Sequence, residues 1–179
     1  ILDDYLPDAW GRKVLAQLAF YRDKKKLDTN SLIDALALVG SSRIGALSVV
    51  PQGETARFDE GTPLTALSQA EQAAQQLEDL DDNQVVLDEM SLLYLANAST
   101  GVGGARPKAL ISDAKQYIAK FNRLKQDNYN NARVELACLK MAKLAGLTVG
   151  DGKVITGING REVLLLERFD VTSNNQRRH

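Results

Sequence analysis

Apolar positions along this chain recur first at helical spacing and later at strand spacing. Trp10, Val14, Leu15, Leu18 and Ala19 fall at three- and four-residue steps, which predicts an amphipathic helix with one buried face. Asp8, directly after Pro7, is placed to cap that helix or to act as a first-turn acid favoured by the helix dipole. The lysine-rich stretch from Asp23 to Asp28 reads as a solvated turn. A second helix is expected from Ser31, with Leu32, Ile33, Leu36 and Val39 inward and Gly40 as its left-handed stop. Ile44 to Val50 reads as a short buried strand closed by Pro51, and Gln52 to Thr62 as a loop. Ser68 and Glu71 have the spacing of a capping box, opening a helix that runs to about Leu80. After a polar break at Asp79 to Asn83, Val86, Leu87, Met90, Leu93, Tyr94 and Ala98 predict another helix with that stripe in the core.

From residue 99 the grammar changes. Lys108 to Ser112 and Gln116 to Phe121 read as strands joined by a tight turn at Asp113-Ala114. A loop from Asn122 to Asp127 leads to a helix from about Asn128 to Leu144. Its apolar positions are Val134, Leu136, Ala137, Leu139, Met141 and Leu144, with Gly146 as its end. Cys138 sits among them and reads as a buried small hydrophobe rather than a nucleophile, since no histidine stands near it in sequence. Lys153 to Ile158 and Arg161 to Arg168 are two strands joined by Asn159-Gly160, a strong hairpin signal. The prediction is an α+β fold in two parts. Residues 1–84 form a mostly helical segment with one strand, and 85–179 a strand–strand–helix–strand–strand unit.

Composition narrows the function classes. Hydrophobic content of 44% and charged content of 25% are those of an ordinary globular protein, so one or two cores can form. A net charge of −1 argues against broad nucleic-acid binding, although a local basic patch is compatible with it. A single cysteine excludes an internal disulfide framework and suits a reducing compartment. No apolar run approaches the ~18 residues a membrane span needs, so no membrane partner is expected. The chain opens on Ile1, with core character and no secretory leader, and is expected to be a piece of a longer protein. The sole histidine, His179, follows a polar tail and reads as a chain end rather than a base.

Candidate chemistry gathers in the second part. In Thr100-Gly-Val-Gly-Gly-Ala-Arg-Pro-Lys108, three glycines within four residues remove the Cβ atoms that would hold a ligand off the backbone. Successive N–H groups in such a turn can form an anion-binding concavity, to which Arg106 and Lys108 add charge. Lys108 is not a Walker lysine, because Pro107 precedes it and Ala109 follows. Two readings stay open for the turn: a phosphate cradle, or a plain glycine-rich approach to a hairpin. Lys120 interrupts the apolar strand Tyr117-Ile-Ala-Lys-Phe121, and Glu135 lies in the first half of the next helix. A strand lysine followed by a helix carboxylate is what a protein-kinase-type phosphotransferase needs, the carboxylate holding the lysine against nucleotide phosphates. The alternative is a surface lysine and a helix-face glutamate that never meet. Leu166-Glu-Arg-Phe-Asp170 closes the last strand, where a kinase hinge holds adenine by its backbone.

Taken in order, Leu6-Pro-Asp-Ala-Trp-Gly-Arg12, Arg43-Ile-Gly-Ala-Leu47, Gly103-Gly-Ala-Arg-Pro-Lys108, Ala119-Lys-Phe121, Glu135 and Glu167-Arg-Phe-Asp170 resemble the HipA family over nearly the whole chain. These are serine/threonine kinase toxins of bacterial toxin–antitoxin modules. The resemblance implies a protein-kinase-like N-lobe and Mg2+-ATP as cofactor, in the cytoplasm. It maps the nucleotide loop to Gly103, Gly104, Ala105, Arg106, Pro107 and Lys108, and the phosphate-binding lysine to Lys120, beside Glu135. The adenine linker maps to Glu167, Arg168 and Phe169, with Asp170 beside the ribose. Implied partners are a HipB-like helix-turn-helix antitoxin, DNA only through that antitoxin, and a translation-related substrate such as an aminoacyl-tRNA synthetase.

Two departures accompany the resemblance. The family toxins often carry an autophosphorylated serine two residues before the paired glycines; here that place is Gly101, with Ser99 and Thr100 just upstream. The family's catalytic aspartate and metal-binding residues belong to a helical lobe further along, and residues 171–179 contain no aspartate. No catalytic residue is therefore assigned, and the chain by itself is expected to be inactive. The competing reading is a non-catalytic kinase-like module that binds an antitoxin or regulator. A glycine-loop hydrolase is a third, but no Ser-based nucleophile elbow supports it.

Overall fold

In the computed structural model the residues described are 5–39, 44–56, 61–79, 89–99, 102–123, 127–174 and 176–178. Helix α1 spans Ala9–Asp23, α2 Leu32–Leu38, α3 Leu67–Asp79 and α4 Glu89–Ser99. Strand β1 is Thr62–Pro63, β2 Lys108–Ser112 and β3 Gln116–Phe121. Helix α5 (Asn131–Leu144) then precedes β4 (Gly152–Thr156) and β5 (Glu162–Glu167). The five strands lie in the order β1-β2-β3-β5-β4, with β1 parallel to β2 and the other pairs antiparallel. The α+β architecture and the strand–strand–helix–strand–strand order are those the sequence predicts.

Side chains alternate along each strand, so one set of strands makes two different faces. Ala109, Ile111, Ala119, Phe121, Val163 and Leu165 point to the first face. There they join Trp10, Val14 and Leu18 of α1 with residues of α3 and α4 in one buried cluster. That cluster draws on both parts of the chain. All five apolar residues expected on the inner face of α1 are buried. The second face carries Lys108, Leu110, Ile118, Lys120 and Leu164. Val102 and Ile44 pack over Leu110 and Ile118 at one end of it. At the other end α5 lies over β4 and β5, and a Cβ on Gly152 would sit 3.6 Å from Leu136 Cδ1.

The register of the last hairpin follows its turn. Asn159 and Gly160 have φ of 53° and 70°, and the Arg161 amide donates to the Ile158 carbonyl at 3.0 Å, so both central residues are left-handed as the Asn-Gly pair requires. Gly146, at φ +83°, ends α5 as expected, the Leu147 amide reaching back to Ala142 O.

Several expectations are corrected. Ile44 to Val50 is not a strand; it is a bend followed by irregular chain, with Leu47 and Val49 exposed. Its amides serve side chains instead of a ladder: Gly45 N–H donates to Asp170 and Val49 N–H to Tyr5. Ser31 does cap α2, accepting from the Asp34 amide, but Ile33 is 80% exposed and Ala35 is the buried position. A two-turn helix has room for only a narrow contact. Gly40, its expected stop, lies outside the described residues, as do Val86, Leu87 and the break at 80–83.

Ser68 and Glu71 form no capping box. A 3-10 turn at Leu64–Ala66 feeds straight into α3, so Ser68 is already inside the helix. The buried Glu71 carboxylate turns to the last hairpin and accepts from the Ile158 amide at 2.8 Å. In α4 the inward residues are Leu92, Leu95 and Ala96, while Met90 and Leu93 are exposed. Both sets have helical spacing, and only packing against α1 and β2 selects between them. Helix α5 begins at Asn131, capped by the Asn130 side chain on the Arg133 amide. Its outer positions Val134, Met141 and Leu144 are exposed, and so is Cys138, because this helix covers the sheet on one side only.

Candidate functional site

The glycine turn folds over the edge of the second face and is tied down at several points. Gly104 has φ +105°, a conformation that favours glycine, and its amide donates to Asp8 Oδ2 at 2.5 Å. The Lys108 ammonium donates to the Gly103 carbonyl at 2.7 Å. A Cβ on Gly103 would come within 2.9 Å of the Asp8 carboxylate, and one on Gly104 within 2.7 Å of Lys108 Nζ. Further along, Arg123 donates to Ala105 O at 2.5 Å and Arg106 pairs with Asp127 at 2.9 Å. The Phe121 amide donates to Pro107 O at 3.1 Å, which carries the β2–β3 ladder one step into the turn.

Beneath the turn, Lys108 and Lys120 are register partners on β2 and β3, so both ammonium groups emerge on the same face. Lys120 Nζ lies 2.5 Å from Glu135 Oε1, each side chain about one-third exposed. The strand lysine and the helix carboxylate therefore meet. Helix α5 makes this possible by packing on β4 and β5, the strands beside β3. Lys108 is 5% exposed. Burial, reinforced by the neighbouring Lys120 charge and only partly offset by Asp8 and Glu135, lowers its pKa to about 8.

The end of β5 is arranged differently from an open linker. Glu167 pairs with Lys115 at 2.6 Å, and its amide donates to Asp151 O. Arg168 and Asp170 are both buried and form a two-point ion pair, with bonds of 2.9 and 2.6 Å. Burial opposes ionisation of Asp170, but the Arg168 guanidinium and the Gly45 amide outweigh it and hold the carboxyl below its ordinary value. Phe169, between them, is 67% exposed. The backbone here is thus fixed by a buried charge pair while one aromatic side chain faces out.

Asp8 is the residue at this site that sequence reasoning placed elsewhere. It stands at the N-cap position of α1, yet its side chain makes no capping bond and reaches the glycine turn instead. Nothing in the spacing from Asp8 to Gly104 signals that contact. A cleft of about 780 Å³ runs along the outer side of α1, and another lies by the N-terminus of α5; neither is lined by Lys108 or Lys120.

Residues 100–179 match the model of the HipA-like C-terminal domain. That match makes residues 100–179 similar to the HipA-like domain. The whole chain is also similar in fold to a chain of the Shewanella oneidensis MR-1 toxin–antitoxin complex of HipA, HipB and its operator DNA. The TM-score is 0.51 and the identity 18%, and the match covers 93% of this chain. This chain spans 41% of the length of that one. No curated protein sequence matches the chain significantly. The turn, Lys120, Glu135 and the 167–170 segment all fall inside the HipA-like region, whereas Asp8 precedes it. No helix among the described residues is long and apolar enough to cross a membrane.

Proposed function

We propose that this chain is the nucleotide-binding N-lobe of a HipA-type serine/threonine protein kinase. The single observation that carries the reading is the Lys120–Glu135 ion pair, 2.5 Å long, on the sheet face under the glycine turn. The residues present fit nucleotide phosphates. Two lysines converge on one face, and the absent Cβ atoms of Gly103 and Gly104 let Asp8 and Lys108 approach the turn backbone closely. Bound ATP would supply the phosphoryl group, and Mg2+ would be held chiefly by its phosphates. Among the described residues no group of three or more His, Cys, Asp or Glu side chains converges on a metal position.

In this reading Lys120 neutralises phosphate charge and Glu135 fixes its ammonium, so that no reorganisation is needed when ligand arrives. Lys108 and the turn amides cover the phosphates. The backbone of Glu167, Arg168 and Phe169 takes adenine, held rigid by the Arg168–Asp170 pair, with Asp170 beside the ribose. A cytoplasmic parent would phosphorylate a translation-related protein and be neutralised by a HipB-like antitoxin. The Shewanella complex, solved with HipB and DNA, supports a partner of that kind. No residue of this chain is assigned as general base, and the role proposed for it is nucleotide binding.

Calorimetry with Mg2+-ATP at millimolar concentration tests this. Weak, saturable binding is expected, and Lys120→Ala should abolish it while the fold stays intact. In the parent protein the same change should abolish phosphorylation. Undiminished affinity in Lys120→Ala would remove this residue from the site.

A further inference from the structure

We propose that Asp8 is an intrachain latch on the glycine turn, and that a nucleotide phosphate must displace its carboxylate to reach the Gly104 amide. The inference rests on the reading of the turn as a phosphate cradle. Its basis is a set of contacts that the family match does not include, since Asp8 lies outside residues 100–179. The Gly104 N–H, which a phosphate oxygen would seek, is already bonded to Asp8 Oδ2 at 2.5 Å. A carboxylate oxygen is the chemical stand-in for a phosphate oxygen at such a donor. The opposite side of the turn is engaged too, with Lys108 Nζ on Gly103 O at 2.7 Å. The turn thus has its anion supplied from within the chain.

Asp8 gives up a helix cap to do this. At the N-cap position its carboxylate would ordinarily accept from an amide of the first turn of α1, and it makes no such bond. The glycines are shaped to the contact, because a Cβ on Gly103 would press to 2.9 Å of the same carboxylate. Two anions cannot share one amide, and like charges at contact distance repel. Phosphate entry therefore expels Asp8, freeing the carboxylate to cap α1 and loosening the turn from that helix.

Asp8→Asn tests the proposal, with Asp8→Ala as a second variant that cannot accept at all. Both are made in the full chain. Removing an exposed competing charge should tighten binding of Mg2+-ATP about fivefold. Without ligand, amide exchange across residues 102–107 should be faster in both variants than in wild type. Added salt should narrow the affinity gap. Unchanged or weaker nucleotide binding in both variants would overturn the latch and make Asp8 a support for the site. If neither wild type nor variants bind nucleotide, the kinase reading fails. The displacement of Asp8 by phosphate is then overturned with it, and faster exchange in the variants shows only that Asp8 ties down the turn.

Discussion

The two faces of the sheet are made by alternate residues of the same strands, yet they have opposite characters. On the first face Ala119, Phe121, Val163 and Leu165 disappear under three helices. On the second, one residue away along the same backbone, Lys120 and Lys108 carry charge into a partly covered site. Period-two alternation lets a five-strand sheet take its stability from one side and display cations on the other. The comparison is broken most severely from the first side. Leu165 is completely buried and is the register partner of Ala119. Leu165→Ala should cost about 2–5 kcal/mol through lost burial and the cavity left behind. The one-third-exposed Lys120–Glu135 pair is worth only about 1 kcal/mol to the fold, so Lys120→Ala should cost far less. Denaturant midpoints of the two variants, measured together, check the contrast; equal losses would show that both faces carry the core.

A smaller effect tests how the hairpin at the edge of the sheet is fastened to the helical layer. Glu71 of α3 crosses to the Ile158 amide, and this buried carboxylate is crowded against Gly157, where any Cβ would collide with it. Gly157→Ala should push the carboxylate off its amide and leave a half-buried donor without that acceptor, at about 1 kcal/mol or more. Glu71→Gln keeps an acceptor in place and should cost less than Gly157→Ala. Burial raises the Glu71 pKa, against the opposing pull of the Ile158 amide and Arg161. Folded Glu71 thus holds its proton to higher pH than the unfolded chain does. Its contribution is full at acid pH and shrinks as pH rises through the raised value, so the glutamine variant should flatten that part of the stability curve.

What the sequence made legible follows from the range of the interactions involved. The β2–β3 and β4–β5 hairpins, the α5 stop at Gly146 and the inner face of α1 rest on neighbours a few residues apart, and local pattern was enough. The failures were long-range choices. Whether Leu92 or Leu93 of α4 turns inward depends on what α1 and β2 offer, not on α4 itself. Ser68, three residues before Glu71, makes the glutamate look like part of a local cap, while its partner, the Ile158 amide, is 87 positions away. Ile44 to Val50 has strand composition, but the Gly45 amide is taken by Asp170. At the site, Lys120 and Glu135 were visible because strand and helix are adjacent in sequence. Asp8 was not, since 96 positions separate it from Gly104.

The finest test of the contrast between the faces uses Lys108, a cation of the second face that is buried as deeply as the core. Its pKa falls from 10.5 to about 8, mainly through burial. Between those values the unfolded chain holds a proton that the folded chain has released. The contribution of Lys108 to stability is therefore least below about pH 8 and grows as pH rises toward about 10.5. Phosphate affinity must move the other way, because the neutral amine offers no charge to an anion. Lys108→Met removes both dependences and serves as the reference. From neutral pH to about 9.5, the denaturant midpoint of wild type should gain on the variant while its nucleotide affinity declines toward the variant's. A residue serving only the fold would change the first quantity and leave the second alone, so the opposed slopes are what mark Lys108 as belonging to the ligand side of the sheet.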